Sequence, residues 1–595
     1  MRCGPFAGER YGITLRWLEA GGHECVRMIA FVVRDRAWRT LPPEPASVRE
    51  RWRDGGGWTV RARTPVGRGT LAWRMDIAPR ERGIDVSLAM SAEHQVVTNR
   101  AGLVVLLPAA TFVGAQFIAW HEDGTSTRGR LPRTIAPHQP MLDLSGARIA
   151  AVNGPALALA FEGETFEMED QRNWLDPSFK LYSRALSRPI PYRIRDGARV
   201  EQRIAIDLVE MNASRSLART PAPRRGRLPA LGIATSPRRV PAAAPVVAAL
   251  REIAPEFVLH RTDAKGHDVS RAGALATSLG TDLRIEAFGD GKPLIDALLR
   301  SGATTVAPHF TRGDTVKALR KHSPPTAIAG GTFADFVMLN RGGVAPSARR
   351  ATFALCPTVH ARDDRSLVET LDALPQVFAQ ARSIAAGRPV DAGPCALRRR
   401  LVPRNGRPAD RPRSPQGVPY DVDARQGQPI AAAWLAVAIA AAGAANIDSV
   451  CAFEAAGARG LVGVHESFST TPQLAFGRRT PAHAMLAALG RERRASLVLY
   501  ALRAAAGAAF SIGGDKSELW LVELSGRARA LPRAAAALGA LVLLTPHRDG
   551  ASWTPAKFHQ RLDAYGIARI ALARSPARSL AAIARDWCGV QAHAV

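Results

Sequence analysis

From Leu228 to about residue 490 the chain alternates short apolar, strand-forming runs with Ala- and Leu-rich helical runs. The strand ends read as Gly232–Thr235, Phe257–His260, Leu283–Ala287, Thr304–His309, Ala327–Gly330, Phe353–Cys356, Cys395–Arg398 and Ile447–Phe453. Helical patterns follow most of them, as in Ala244–Ile253 and Leu367–Leu374. Strands separated by helices need crossovers and form parallel sheets. Eight such units in about 260 residues match a (β/α)8 barrel in count and length. The stretch Arg399–Gln428 follows the seventh strand, so it is expected over the C-terminal mouth, where barrel enzymes carry their working loops.

A chain of 595 residues is too long for one core, so two to four domains are expected. Residues 1 to 212 read as all-β. Strand formers recur at Ile13–Leu18, Met28–Val33, Trp58–Ala62, Leu103–Leu107 and Arg203–Val209, with Gly, Pro and charged turn residues between them. That spacing suggests a sandwich. Ala213–Arg227, rich in Arg, Pro, Ser and Ala, reads as a linker. Strand patterns return at Ala495–Tyr500 and Glu518–Glu523. The expected fold class is therefore multidomain α/β plus β. It comprises an N-terminal β-sandwich (1–212), a central (β/α)8 barrel (228–490) and a small C-terminal β domain (491–595).

An apolar fraction of 47% and a charged fraction of 22% belong to a globular chain. The net charge of +28 invites a nucleic-acid reading, but only seven of the 80 basic residues are lysine and the arginines are spread along the chain. No nucleic-acid module is recognisable, and no such partner is expected. Attraction of anionic ligands is the expected effect of the charge. The six cysteines are scattered with no Cys-x-x-Cys pair, and read as small buried residues in a reducing cytosol. The N-terminus has no long apolar stretch. Pro429–Asn446 is slightly short for a membrane span and reads as a buried helix. A cytoplasmic location without membrane attachment is expected.

In a barrel the working residues sit at strand C-termini. Those positions hold Asp263, Glu286, His309, Asp335, Asn340, His360 and Glu454, with Arg261, Arg284 and Arg398 as basic neighbours. A carboxylate or histidine there can deprotonate water, and a cation can hold the oxyanion of a tetrahedral ester intermediate. Glu454 is the first choice for the base, with His309 or His360 as proton donor or oxyanion partner. Asp263, Glu286, Asp335, Asn340 and Arg398 are candidate substrate contacts. Asp263 and Glu286 also have a simpler reading as ion-pair residues for Arg261 and Arg284, and His360 one as a loop residue before a helix capped by Asp364 or Ser366. A divalent metal remains open. Asp263, Glu286, His309 and His360 are suitable ligands, but they lie on different strands and no His-Glu-x-x-His pair occurs.

A second concentration of chemistry lies at Gly163–Tyr182. Glu164, Glu167, Glu169, Asp170, Arg172, Asp176 and Lys180 stand there among Phe166, Trp174, Phe179 and Tyr182. Aromatics favour burial, and charges drawn in with them need partners. The segment is either an ion-paired seam or the wall of a polar-ligand site, with Asp170 and Arg172 as candidate substrate contacts. Its run Met168-Glu-Asp-Gln-Arg-Asn-Trp174 with Ser178-Phe-Lys-Leu-Tyr182 resembles a segment of the D-apionate lactonase family.

The resemblance extends to most of residues 1–490. Ile29–Trp38, His121–Gly124, Gly129–Pro132, Ile135–Pro140, Gly330–Phe336 with Leu339–Arg341, Val359–Ala361 with Asp364–Thr370, and Asp423–Gln426 are similar to family segments in the same order. Three positions depart from the family pattern. Met338 stands where a glutamate commonly precedes Leu-Asn-Arg, Phe453-Glu-Ala-Ala-Gly457 replaces Tyr-Glu-Thr-Thr-Gly, and Leu107-Pro108 replaces His-Pro. The resemblance implies hydrolysis of a small sugar-acid lactone, D-apionolactone to D-apionate, with Glu454 the first residue to carry over. A TIM-barrel glycoside hydrolase and a non-catalytic sugar-acid binding protein are the alternatives.

Overall fold

The structure is a computed structural model. It describes residues 1–211 and 222–589 apart from 312, 324–325, 404–405, 410, 412, 415–416, 467, 469–474, 514–516, 548–549 and 573–576. The chain divides into two compact units, residues 1–172 with 177–219 and residues 173–176 with 220–595.

In the first unit the β domain expected from the sequence is a large antiparallel assembly. Seventeen strands join one continuous sheet among the described residues. Strand Arg199–Met211 pairs with Gly83–Glu93 on one side and Pro155–Glu162 on the other. Alternation drives the packing. In Gly57–Val66, Trp58, Val60 and Ala62 are buried while Arg61 and Arg63 are exposed, the period of a strand with one covered face. The charged run 163–182 is largely internal here. Arg172 and Asp170 form a fully buried pair at 2.6 Å, and Arg172 also donates to the carbonyls of Pro132 and Arg133. Lys180 pairs with Glu169, and the Tyr182 hydroxyl donates to Glu167.

The second unit contains the barrel. Its strands are β1 (Ala230–Thr235), β2 (Phe257–Thr262), β3 (Asp282–Phe288), β4 (Thr305–His309), β5 (Ala327–Asp335), β6 (Arg350–Leu355), β7 (Val390–Cys395) and β8 (Ser449–Ala456). Each pairs in parallel with the next, and β1 closes on β8 through Ala230↔Ser449 and Leu231↔Val450. All six residues of β1 and all eight of β8 are buried, as expected for parallel strands covered on both faces. Helix Pro429–Ala444 is apolar all round and buried along nearly its whole length. No helix among the described residues is long and apolar enough to cross a membrane.

Two readings shift. The seventh strand runs over Val390–Cys395, earlier than Cys395–Arg398, because Gly393 and Pro394 lie inside it and read as a turn. Arg398 is therefore in the segment after the strand. Of the stretch read as a linker, residues 213–221 lie outside the described residues. Arg224–Arg227 form a strand that pairs with Ser496–Leu499 in a C-terminal sheet of seven strands among the described residues. All six cysteines are free and buried.

Candidate active site

At the barrel mouth two buried carboxylates share one cation. Glu454 lies in the C-terminal half of β8, followed by the buried Ala455 and Ala456, and Glu286 lies in the C-terminal half of β3. Arg400, from the segment after β7, places its Nη2 3.8 Å from Glu286 and its Nε 4.0 Å from Glu454. All three side chains are buried. The Ser236 hydroxyl, just past β1, donates to Glu454 at 3.1 Å. Arg239 stands 3.9 Å from Glu454 and from Asp421, and Arg459 closes on Asp421 at 2.5 Å. Arg261 on β2 is buried nearby.

These surroundings push the two carboxyls apart. Burial works to raise Glu454, but Arg239, Arg400, Arg459 and Arg261 outweigh it and hold the group below the ordinary carboxylate range. Burial dominates at Glu286, and Arg400 and Arg261 only partly offset it, so its carboxyl is raised. The pattern is an ionised carboxylate facing a more readily protonated one, the condition for separate base and acid roles. Burial and repulsion from Arg400 lower Arg261 to about 10. Arg400 Nε and Nη1 and Arg261 Nη1 are buried without hydrogen-bond partners. Buried donors of this kind are costly unless a ligand or water accepts from them.

The other candidates are distributed around this centre. Asp335 at the end of β5 receives Arg399 at 2.7 Å, and Arg398 lies 2.9 Å from Asp423. Asn340 donates to Asn173 at 2.9 Å. His360 pairs its Nδ1 with Asp176 at 2.5 Å and meets the edge of Trp174. Asn173, Trp174 and Asp176 belong to the barrel's unit although they lie within the N-terminal sequence. His309 ends β4 between Phe288 and Phe333, and burial lowers its pKa to about 4, so the ring is neutral at pH 7. Asp263 is half-exposed and spent on its own loop, accepting from His267 and Lys265. Asp170 and Arg172 are closed on each other in the first unit. Met338 is exposed on the short helix Phe336–Gly342. Among the described residues no group of three or more His, Cys, Asp or Glu side chains is placed to hold a metal ion.

Sequence reasoning missed Arg400, Ser236, Arg239, Arg459 and Asp421. Ser236 directly follows a strand end, and reading one residue further would have found it. Arg400 stands in a run of three arginines in a chain full of them, so its type carried little signal.

Residues 1–211 match the family described as D-apionate lactonase, N-terminal domain, and residues 301–494 match D-apionate lactonase, TIM barrel domain. The chain belongs to the D-apionate lactonase family. A D-apionate lactonase from Brucella anthropi is 27% identical over 511 residues, covering 78% of this chain and 83% of the relative. As a family member the chain is a hydrolase of the lactonase class. The family's barrel match contains Glu454, His309, His360 and Arg400, whereas Glu286 and Arg261 precede it. Among solved structures, a GH30 endoxylanase from Clostridium papyrosolvens C71 aligns at 7% identity and TM-score 0.35, over 59% of this chain and 98% of its own. A beta-arabinopyranosidase aligns at 10% identity and TM-score 0.31, over 96% and 99%. Likenesses this distant add nothing to the assignment.

Proposed function

We propose that the chain hydrolyses a sugar-acid lactone, D-apionolactone to D-apionate, in the breakdown of apiose in the cytoplasm. The observation that carries this reading is the placement of Arg400 between Glu286 and Glu454. Glu454, held ionised, takes a proton from water as the water oxygen attacks the lactone carbonyl. The carbonyl oxygen becomes an oxyanion and accepts from the unpaired donors of Arg400 and Arg261. As the tetrahedral intermediate collapses, the ring C–O bond breaks and Glu286, protonated, gives its proton to the leaving alkoxide. The hydroxy acid leaves, and solvent returns the two carboxyls to their starting states. The proton donor in this reading is Glu286 rather than His309 or His360, because His309 is neutral and His360 is paired with Asp176. Asp335, Asn340 and Arg398 are kept as rim contacts for substrate, while Asp263, Asp170 and Arg172 have no part in the chemistry. We propose three domains at 1–212, 228–490 and 491–595, with strand 224–227 belonging to the last.

The test is pH-stat hydrolysis of D-apionolactone beside a panel of aldonolactones and one aryl glycoside, with and without chelator. Acid release from a lactone is expected, unchanged by chelator. Glu454→Gln should lose about 10²–10⁴ in kcat while remaining folded; retained turnover would remove Glu454 from the mechanism. The split carboxyl pair also suits acid and nucleophile roles in glycoside hydrolysis. Turnover of the glycoside alone would establish that second reading, and lactone binding without turnover would make the chain a binding protein.

A further inference from the structure

The barrel mouth has an aromatic side beside its charged one. Phe288 lies two residues beyond Glu286 on β3, and the two-residue period of a strand turns both to the same face. Phe333 on β5 and Phe310, directly after β4, complete a three-ring group. Ring centroids are 5.0 Å apart for Phe288 and Phe333 and 5.5 Å for Phe310 and Phe333. His309 sits within it, 5.2 Å from Phe288 and 5.1 Å from Phe333. Phe333 lines the same cavity as Glu286 and Arg400.

Three observations mark this box as a place for a ligand. His309 is only 9% exposed, yet its Nε2 has no hydrogen-bond partner. A buried polar atom left unpaired costs on the order of 1–3 kcal/mol unless something accepts from it or donates to it. Phe310 is 53% exposed and has φ of +51°, a conformation a bulky side chain rarely adopts and one that concentrates at functional sites. Gly406, from the segment after β7, lies directly against the box, and a Cβ there would come within 2.7 Å of both Phe288 and Phe310. Gly406 therefore backs Phe288 and Phe310 at a point where no side chain would fit.

We propose that this box is the ring-binding half of the substrate site. Its aromatic faces take the apolar C–H face of a small hydroxylated ring, and Nε2 of His309 hydrogen-bonds one ring hydroxyl. The ligand class is a neutral five- or six-membered cyclic polyol or its lactone. Aromatic walls with a few convergent polar groups are the usual construction of such sites. The charged half then meets the carbonyl and the aromatic half meets the rest of the ring. The inference rests on the lactonase reading for the chemistry, but the box binds a ring whether or not a carbonyl is present.

The experiment uses 1,4-anhydroerythritol, a hydroxylated five-membered ring without a carbonyl, titrated calorimetrically into the full chain. Wild type should bind it. Phe310→Ala, at an exposed position where folding is expected to persist, should weaken binding at least fivefold, and so should His309→Ala. Tetrahydrofuran, the same ring without hydroxyls, should bind equally to wild type and His309→Ala. Lack of binding by wild type, or equal affinity in wild type and Phe310→Ala, overturns the proposal. Failure of the lactonase reading shows separately, as absence of lactone turnover by wild type.

Discussion

Replacing Arg400 with methionine tests the central arrangement most directly. The guanidinium stands 3.8 Å from Glu286 and 4.0 Å from Glu454. At 4 Å and an effective dielectric near 20, the attraction between Arg400 and ionised Glu454 is worth about 4 kcal/mol. Glu454 keeps Arg239, Arg459 and Arg261, and Arg261 is relieved of repulsion from Arg400. Burial then meets fewer opposing cations, so the Glu454 carboxyl should rise. The acid limb of kcat/KM reports the ionisation of the free enzyme's base. It should move toward neutrality in a pH-stat series from pH 4 to 9. The plateau should also fall by roughly 10²-fold, the usual loss of one oxyanion donor. Arg400→Lys keeps the charge and loses the planar fork, so its acid limb should stay near wild type while its plateau drops. A folded Arg400→Met protein with an unmoved acid limb would refute the idea that this residue sets the base's ionisation.

Glu286→Gln should lower kcat by about 10²–10⁴ if Glu286 is the acid. Burial raises the folded-state pKa of Glu286, so its favourable share of stability is held below the unfolded pKa and lost as pH rises through the folded one. The amide escapes that loss, and the gap between the melting temperatures of variant and wild type should widen from pH 5 to 9. At the opposite end of the barrel, Asp391 receives two hydrogen bonds of 2.6 Å from Arg350 and one from Arg284 at 3.1 Å. Burial opposes its ionisation, yet these partners hold the carboxyl below the ordinary range. Its share of stability is present above the unfolded pKa and fades as pH falls through the folded one. Asp391→Ala should cost about 3–5 kcal/mol in denaturant unfolding at pH 7, with KM unchanged.

The barrel was legible because its strands and helices announce themselves by a change of period, and eight units fit one closed architecture. The one misplaced strand, β7, carries Gly393 and Pro394, residues that elsewhere end strands. Glu454 drew notice because a charge near the end of an apolar barrel strand lies on the face where barrel enzymes work, and the structure places it buried beside Arg400 and Ser236. Arg400 was hidden by abundance, since arginine is everywhere in this chain and its position depends on how the segment after β7 returns over the mouth. Asp170 and Arg172 attracted notice as a dense charge cluster, yet density alone does not distinguish an open site from a closed pair. Asp263 stands just past a strand end, but its carboxylate bonds its own turn two and four residues on, a local preference of aspartate that strand position does not reveal.

The strand Arg224–Arg227 is made well before its partner exists. It precedes the barrel, while Ser496–Leu499 follows it. During synthesis the partner emerges roughly 270 residues later, a wait on the order of ten to fifty seconds at ordinary elongation rates. An unpaired strand exposed for that long is a template for wrong pairing with neighbouring chains. Three of its four residues are arginine, and like charge is a common way to keep such an edge from meeting another copy of itself. The basic residues that make this stretch look like a linker are thus also of the kind that discourages an unpaired edge from joining its own copies before Ser496–Leu499 is made.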